Sequence, residues 1–245
     1  MNNPAQKLII QRLQRQILDL EGFKTNTKHE QSKIGFSPIE KHFPNQVFPT
    51  GTIHEFISEQ PENTACTSAF IFGLLSKLHP QQGIYIWIGK QKKLFAPALT
   101  FFDTSPHHII FINLAKPKDI LWATEEALKC KSLSGVISEV EGINFAQSQR
   151  LQLTVEKSKV TGFILRTQPE ENITATACAA RWKITPQASE NTENIPGVGF
   201  ANWQVELLKV RNGSTANFTV AWRNQQFYVN EQDKSAPFLS QAIGS

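Results

Sequence analysis

Aspartate is nearly missing from this chain. Among 245 residues there are four, Asp19, Asp103, Asp119 and Asp233, and none of them ends the strand-like run at 135–140. That scarcity argues against phosphoryl transfer, which needs a carboxylate at a strand end to hold Mg²⁺. Cysteine is as thin: Cys66, Cys130 and Cys178 lie far apart, and no pair has metal or redox spacing. Six histidines include one adjacent pair, His107-His108, and give no ligand spacing. There is no apolar run of about 18 residues and no signal-peptide pattern, so no membrane partner is expected and the cytoplasm is the expected compartment. Charge of one sign is lacking too. A balance of 25 basic against 21 acidic residues leaves +4, too little to indicate nucleic acid by itself.

What is present supports one large α/β domain, with 40% hydrophobic residues and 17 Phe to build a core. The chain is organised around residues 48–68. Phe48-Pro49-Thr50-Gly51 is a turn in which Gly51 takes φ > 0. Residues 52–57 are β-prone, with Ile53 and Ile57 on one face and Phe56 on the other. From Thr64 onward, Phe70, Leu74, Leu75 and Leu78 recur at helical spacing. A strand-to-helix junction of this kind is where α/β proteins hold anions. A phosphate-binding loop would read G-x-x-x-x-G-K-[ST] there. Residues 58–68 contain no glycine and no lysine, and carry Glu59 and Glu62, which repel a triphosphate. By position this is a nucleotide pocket and by chemistry an emptied one. Ser58, Asn63, Thr64, Thr67 and Ser68 occupy the vestigial positions, and no cofactor or metal is expected.

Taken in order, residues 5–20 read as a helix with an apolar stripe of Ile9, Leu13, Ile17 and Leu20 beside Lys7, Arg12 and Arg15. That stripe either packs on the chain's own core or docks onto a partner. Residues 24–46 are polar, hold Pro38 and Pro44, and read as a linker. Pro80 and Gly83 mark a turn. Strands follow at 84–88, 108–112, 135–140 and 162–165, alternating with a short helix at 96–102 and helices at about 117–131 and 145–159. That alternation predicts a mainly parallel sheet with right-handed crossovers. Residues 187–199 read as a mobile loop, residues 203–210 and 217–229 as two strands joined at Asn212-Gly213, and residues 235–245 as a loose tail. The expected organisation is an arm and linker at 1–46, an α/β core at 47–186, a loop at 187–200, a β-hairpin extending the core at 201–230, and a tail from 231 to 245.

Several stretches resemble one family. Phe-Pro-Thr-Gly-Thr-Ile-His-Glu-Phe at 48–56 is similar to the entry motif of RecA-like proteins, and more specifically to that of the ImuA branch. Tyr-Ile-Trp-Ile at 85–88 with Phe-Ala-Pro-Ala-Leu at 95–99 follows. Residues 119–128, 149–153 and the closing 203–213, Trp-Gln-Val-Glu-Leu-Leu-Lys-Val-Arg-Asn-Gly, complete the series in order. The resemblance covers about 48–229. It implies a RecA-like P-loop NTPase core and a non-catalytic accessory role in damage-inducible, error-prone translesion synthesis. The implied partners are an ImuB-type polymerase homologue and RecA; DNA within such an assembly is a separate reading that rests on the chain's basic residues.

Other chemistries meet specific obstacles. The strand at 135–140 offers Ser138, Glu139 and Val140 where RecA-type ATPases carry a strand-end aspartate, and Glu139 next to Glu141 reads as a solvated charge. The place of the water-activating glutamate, just after 84–88, holds Gly89, Lys90 and Gln91. Cys66 at a helix start has a setting that lowers a thiol pKa, but His54 points away from it and no orienting acid is evident. For DNA, the arm supplies Lys7, Arg12 and Arg15, and Lys116, Lys118, Lys129 and Lys131 lie elsewhere. Trp122 and Trp222 could stack on bases. Trp122, however, sits in a helix among apolar residues, which places it in the core, and the helix dipole alone favours Lys129 and Lys131. The competing readings are an ATP-binding, DNA-binding RecA-like protein with altered nucleotide contacts, and an inhibitor that caps a filament.

Overall fold

The computed structural model describes residues 13, 36–78, 83–90, 95–167, 174–189 and 199–232. Its centre is a nine-stranded sheet of β1 (Ile53–Ile57), β2 (Tyr85–Gly89), β3 (Ile109–Asn113), β4 (Gly135–Val140), β5 (Thr161–Arg166), β6 (Ala180–Pro186), β7 (Ala201–Val210), β8 (Ala216–Arg223) and β9 (Gln226–Gln232). The spatial order is β3-β2-β4-β5-β1-β6-β7-β8-β9. The first six strands pair in parallel, and β7, β8 and β9 continue the sheet antiparallel from β6. This is the α/β, RecA-like architecture with antiparallel strands added at the end.

Helix α1 (Pro61–Leu78) covers one face of the sheet; α2 (Pro117–Lys129) and α3 (Phe145–Ser158) cover the other. Helix α1 is buried along most of its length because two layers enclose it, and at Gly73 the rings of Phe227 and Trp222 come so close that a Cβ would sit 2.8 Å from Phe227. Helix α2 begins with Pro117, which suits a first helical turn, and turns Ile120, Ala127 and Leu128 inward. Helix α3 is fixed at its start by a capping box, in which Asn144 Oδ1 accepts from the Gln147 N–H and Gln147 Oε1 accepts from the Asn144 N–H, both at 2.9 Å. Lys159 ends it in the left-handed conformation.

The core splits by face. Ile53, Ile88, Val136, Ile164, Leu151 and Val155 pack under α2 and α3. The α1 face is aromatic: Phe56 stacks on Trp182 at 5.9 Å, and Phe36 meets Phe227 edge-on at 4.7 Å. Gly51 adopts φ +67 and passes the backbone of Lys159.

Three expectations change. The linker read at 24–46 gives way from Phe36 onward, because Phe36, Ile39 and Phe43 are buried in the aromatic core and a single helical turn, Ser37–Glu40, packs on β9. The strand read at 217–229 is two strands, turned at Asn224 and Gln225, both at positive φ without a glycine to announce it. Strand β6 was not foreseen. The turn at 79–82, the loop at 190–198 and the tail lie outside the described residues. Among the described residues no helix is long and apolar enough to cross a membrane.

Glu40 is buried in that helical turn, and its Oε1 has no partner among the described residues. Burial pushes its carboxyl up to about 7, and the Phe48 N–H, which favours the charged form, offsets only part. The folded state therefore holds the proton more tightly than the unfolded state, so stability falls as pH rises from about 4.5 to about 7 and is level above. Glu40→Gln should stabilise the fold at pH 8 by about 1–2 kcal/mol, allowing for screening by nearby water, and give no gain below pH ~4.5. Urea denaturation of both forms at the two pH values checks this.

Candidate functional site

The junction between β1 and α1 is short. Ser58 still belongs to the sheet, its N–H donating to Arg166 O at 2.9 Å, and α1 begins at Pro61. Only Glu59 and Gln60 lie free between them, and Gln60 O already accepts from the Thr64 N–H at 3.1 Å. Pro61 contributes no N–H to the helix start. The hydroxyls of Ser58 and Thr64 share a hydrogen bond of 2.6 Å, and Ser68 Oγ donates to Thr64 O at 2.7 Å. Asn63 and Thr67 are buried, Thr67 Oγ1 without a partner among the described residues. The structure thus brings Ser58, Asn63, Thr64, Thr67 and Ser68 to one place and spends the hydroxyls of Ser58, Thr64 and Ser68 within that group. Glu59 pairs with Lys183 at 3.0 Å, and Glu62 is exposed in the first turn of α1.

Beside the junction, the ends of β2 and β4 and the 3₁₀ helix Ala96–Phe102 wall a cavity of about 400 Å³. Ala65, Ala69, Phe72, Leu99 and Phe102 are among its apolar lining, and Thr64 and Ser68 of the junction also face it. Its one charged lining residue is Glu139, whose Oε1 accepts from the Trp87 indole N–H at 3.0 Å. Glu139 is buried, not solvated as the sequence suggested, because the parallel pairing of β2 with β4 lays Trp87 across it. Lys90 pairs with Glu141 at 3.2 Å.

The thiol reading is corrected as well. Cys66 is buried, its S–H reaching Asn63 O at 3.3 Å, and burial pushes its pKa up to about 12 rather than down. His54 is fully buried between Phe48 and Phe163, with ring distances of 4.6 and 5.7 Å. Its Nε2–H donates to Pro49 O at 2.8 Å while Nδ1 accepts from the Trp182 indole at 3.3 Å, which fixes one neutral tautomer. Burial lowers its pKa to about 4. Among the described residues no group of three or more His, Cys, Asp and Glu side chains could hold a metal.

The chain's most buried charges lie on the other face of β1. Glu55 Oε1 accepts from Arg166 Nη1 at 2.9 Å, and Oε2 accepts from Arg181 Nε at 2.8 Å and Thr176 Oγ1 at 2.7 Å. Arg181 also reaches Thr174 O, Lys209 reaches Thr176 O at 2.7 Å, and Arg211 reaches Ala177 O. Residues 174–178, which form neither helix nor strand, are held by this basic clamp.

No family model matches the chain. The chain is similar to Protein ImuA of Caulobacter vibrioides, from strain NA1000 / CB15N and from strain ATCC 19089 / CIP 103742 / CB 15. Each is 26% identical over 200 residues, covering 77% of this chain and 82% of the relative. The likeness runs through most of the chain and is to the ImuA proteins. Much of what carries the family likeness is scaffold. Glu55 anchors the buried network, Gln152 Oε1 accepts from the Ile53 N–H at 3.2 Å, Trp203 packs in the aromatic core, and Lys209 and Arg211 tie down the 174–178 segment.

The arm residues Lys7, Ile9, Arg12, Arg15, Ile17 and Leu20 lie outside the described residues; Leu13 lies in a helix and is exposed. Trp122 is 64% exposed on α2, not in the core, because Ile120 and Thr124 take the inward positions beside it. Trp222 is buried, its indole N–H donating to Phe101 O at 2.9 Å. Arg166, Arg181 and Thr176 carried no sequence signal as partners of Glu55, since only the fold brings them together.

Removing the central carboxylate leaves Arg166 buried and unpaired. Glu55→Ala should cost about 3–5 kcal/mol in denaturant unfolding, while Glu55→Leu with Arg166→Met should recover most of it.

Proposed function

We propose that this chain is a non-catalytic, RecA-like accessory protein in DNA-damage tolerance, assembling with an ImuB-type polymerase homologue and RecA in error-prone translesion synthesis. One observation carries the reading: the β1–α1 junction is closed. A polyphosphate needs a loop of backbone N–H groups and a lysine around it. Here a three-residue link, a proline at the helix start and a hydroxyl pair fill the same place. The residues present do not fit Mg²⁺ and nucleotide. The neighbouring cavity is apolar with a carboxylate in its wall, which disfavours an anion further. The likeness to Protein ImuA supports the damage-tolerance role. The retained scaffold leaves surfaces free for assembly, with the exposed Leu13 on the N-terminal arm among the candidates.

Titrating a fluorescent ATP analogue with Mg²⁺ should give no saturable binding; micromolar binding would overturn the non-catalytic reading. Mixing the purified protein with RecA filaments and with the ImuB homologue should give co-migration with at least one. Co-migration with neither would remove the adaptor role. Leu13→Asp should weaken that co-migration and leave the unfolding transition unchanged. Loss of the whole fold would instead show the arm to be core.

A further inference from the structure

Helices α2 and α3 lie side by side on the sheet face opposite α1, and a groove runs between them, crossed by the Arg150–Glu125 ion pair. Cavities of about 550 and about 510 Å³ follow it and share Glu125 and Arg150 in their linings. Together those linings hold five basic residues, Lys118, Lys129, Lys131, Arg150 and Lys157, against one acidic residue, Glu125. Glu125 is paired with Arg150 at 2.5 Å and lies 3.8 Å from Lys129, so its charge is met inside the groove. Among the described residues, Lys118, Lys131 and Lys157 carry no ion pair, and Lys129 is paired with Glu126. Trp122 stands at one end with 64% of its surface exposed.

We propose that this groove is a docking track for single-stranded nucleic acid, with a base stacked on Trp122 and phosphates on Lys118, Lys131 and Lys157. Two features favour a nucleic-acid strand over an acidic protein segment. The basic groups are spread over the groove's whole length, about 20 Å for helices of this size, as a repeating anion requires. The aromatic presents an open face at the groove edge, where any base can stack. The proposal names a surface for DNA contact and does not rest on the adaptor reading, since it concerns the protein alone.

The test uses the full chain and a fluorescein-labelled oligo(dT) of about 16 nucleotides, followed by anisotropy over a salt series. Saturable binding that weakens linearly in log–log form with salt is expected. Trp122→Ala should weaken it at least about five-fold, and Trp122→Phe should restore most of the affinity. Lys118→Gln and Lys157→Gln should each reduce the salt slope by about 0.7. Circular dichroism of each variant should match the parent. The proposal is overturned by the absence of saturable binding, by binding that Trp122→Ala leaves unchanged, or by labelled poly-glutamate binding as tightly with the same response to the variants. The last result would assign the groove to an acidic protein. The RecA and ImuB co-migration assays, run on the same variants, separate this outcome from failure of the adaptor role.

Discussion

A carboxylate buried out of reach of water must be surrounded by donors, and Glu55 imposes that requirement on three segments at once. Arg166 comes from β5, Arg181 from β6 and Thr176 from the irregular stretch before β6. Desolvating each of these charges costs several kcal/mol, repaid only when all partners are in place. Against a total stability of roughly 5–15 kcal/mol for a domain, such a cluster makes the pairing of β1 with its neighbours nearly all-or-none. It also fixes where the parallel part of the sheet stops. Strand β6 is parallel to β1 on one side and antiparallel to β7 on the other, and Lys209 and Arg211 of the next hairpin reach back to the same segment.

With β1 held so firmly from one face, its other face is free to be apolar, and the chain fills it with aromatic rings. His54 shows the consequence. Between Phe48, Phe163 and Trp182 it can be only neutral, with both nitrogens committed. The end of β1 and the start of α1 are therefore set by rigid packing, and the Ser58–Thr64 hydroxyl pair closes what remains. A strand-to-helix junction that wraps an anion needs slack backbone with unsatisfied N–H groups. Aromatic packing and a proline at the helix start remove that slack.

The sequence made the alternation of strands and helices legible because each parallel strand is a short apolar run and each helix has one apolar stripe. What it hid follows physical lines. Residues 36–46 look like a linker because their few aromatics are diluted by polar neighbours, yet Phe36 and Phe43 alone secure them to the core. The β8–β9 turn lacked a glycine, and Asn224 and Gln225 reach positive φ without one. Trp122 reads as core by its apolar neighbours, but helical phase decides its place. At 3.6 residues per turn, the inward phase set by Ile120, Thr124 and Ala127 puts Trp122 outside. The Glu139–Trp87 contact depends on the pairing of two strands far apart in the chain, which no local pattern encodes.

The residues shared in character with the ImuA family are sorted by burial rather than by chemistry. Glu55, Gln152 and Trp203 are buried, and Gln152 and the half-buried Lys209 and Arg211 bond backbone atoms of neighbouring segments. Residues of this kind preserve a shape without requiring any reaction at its centre. On this reading specificity falls to what the scaffold leaves exposed. The two sheet faces differ there: the α1 face is spent on its own aromatic core, while α2 and α3 keep charge and an indole at the surface. The end of the central strand is packed tightly by its aromatic neighbours. The rigidity so obtained is what lets an open helix face hold its charges at fixed spacing.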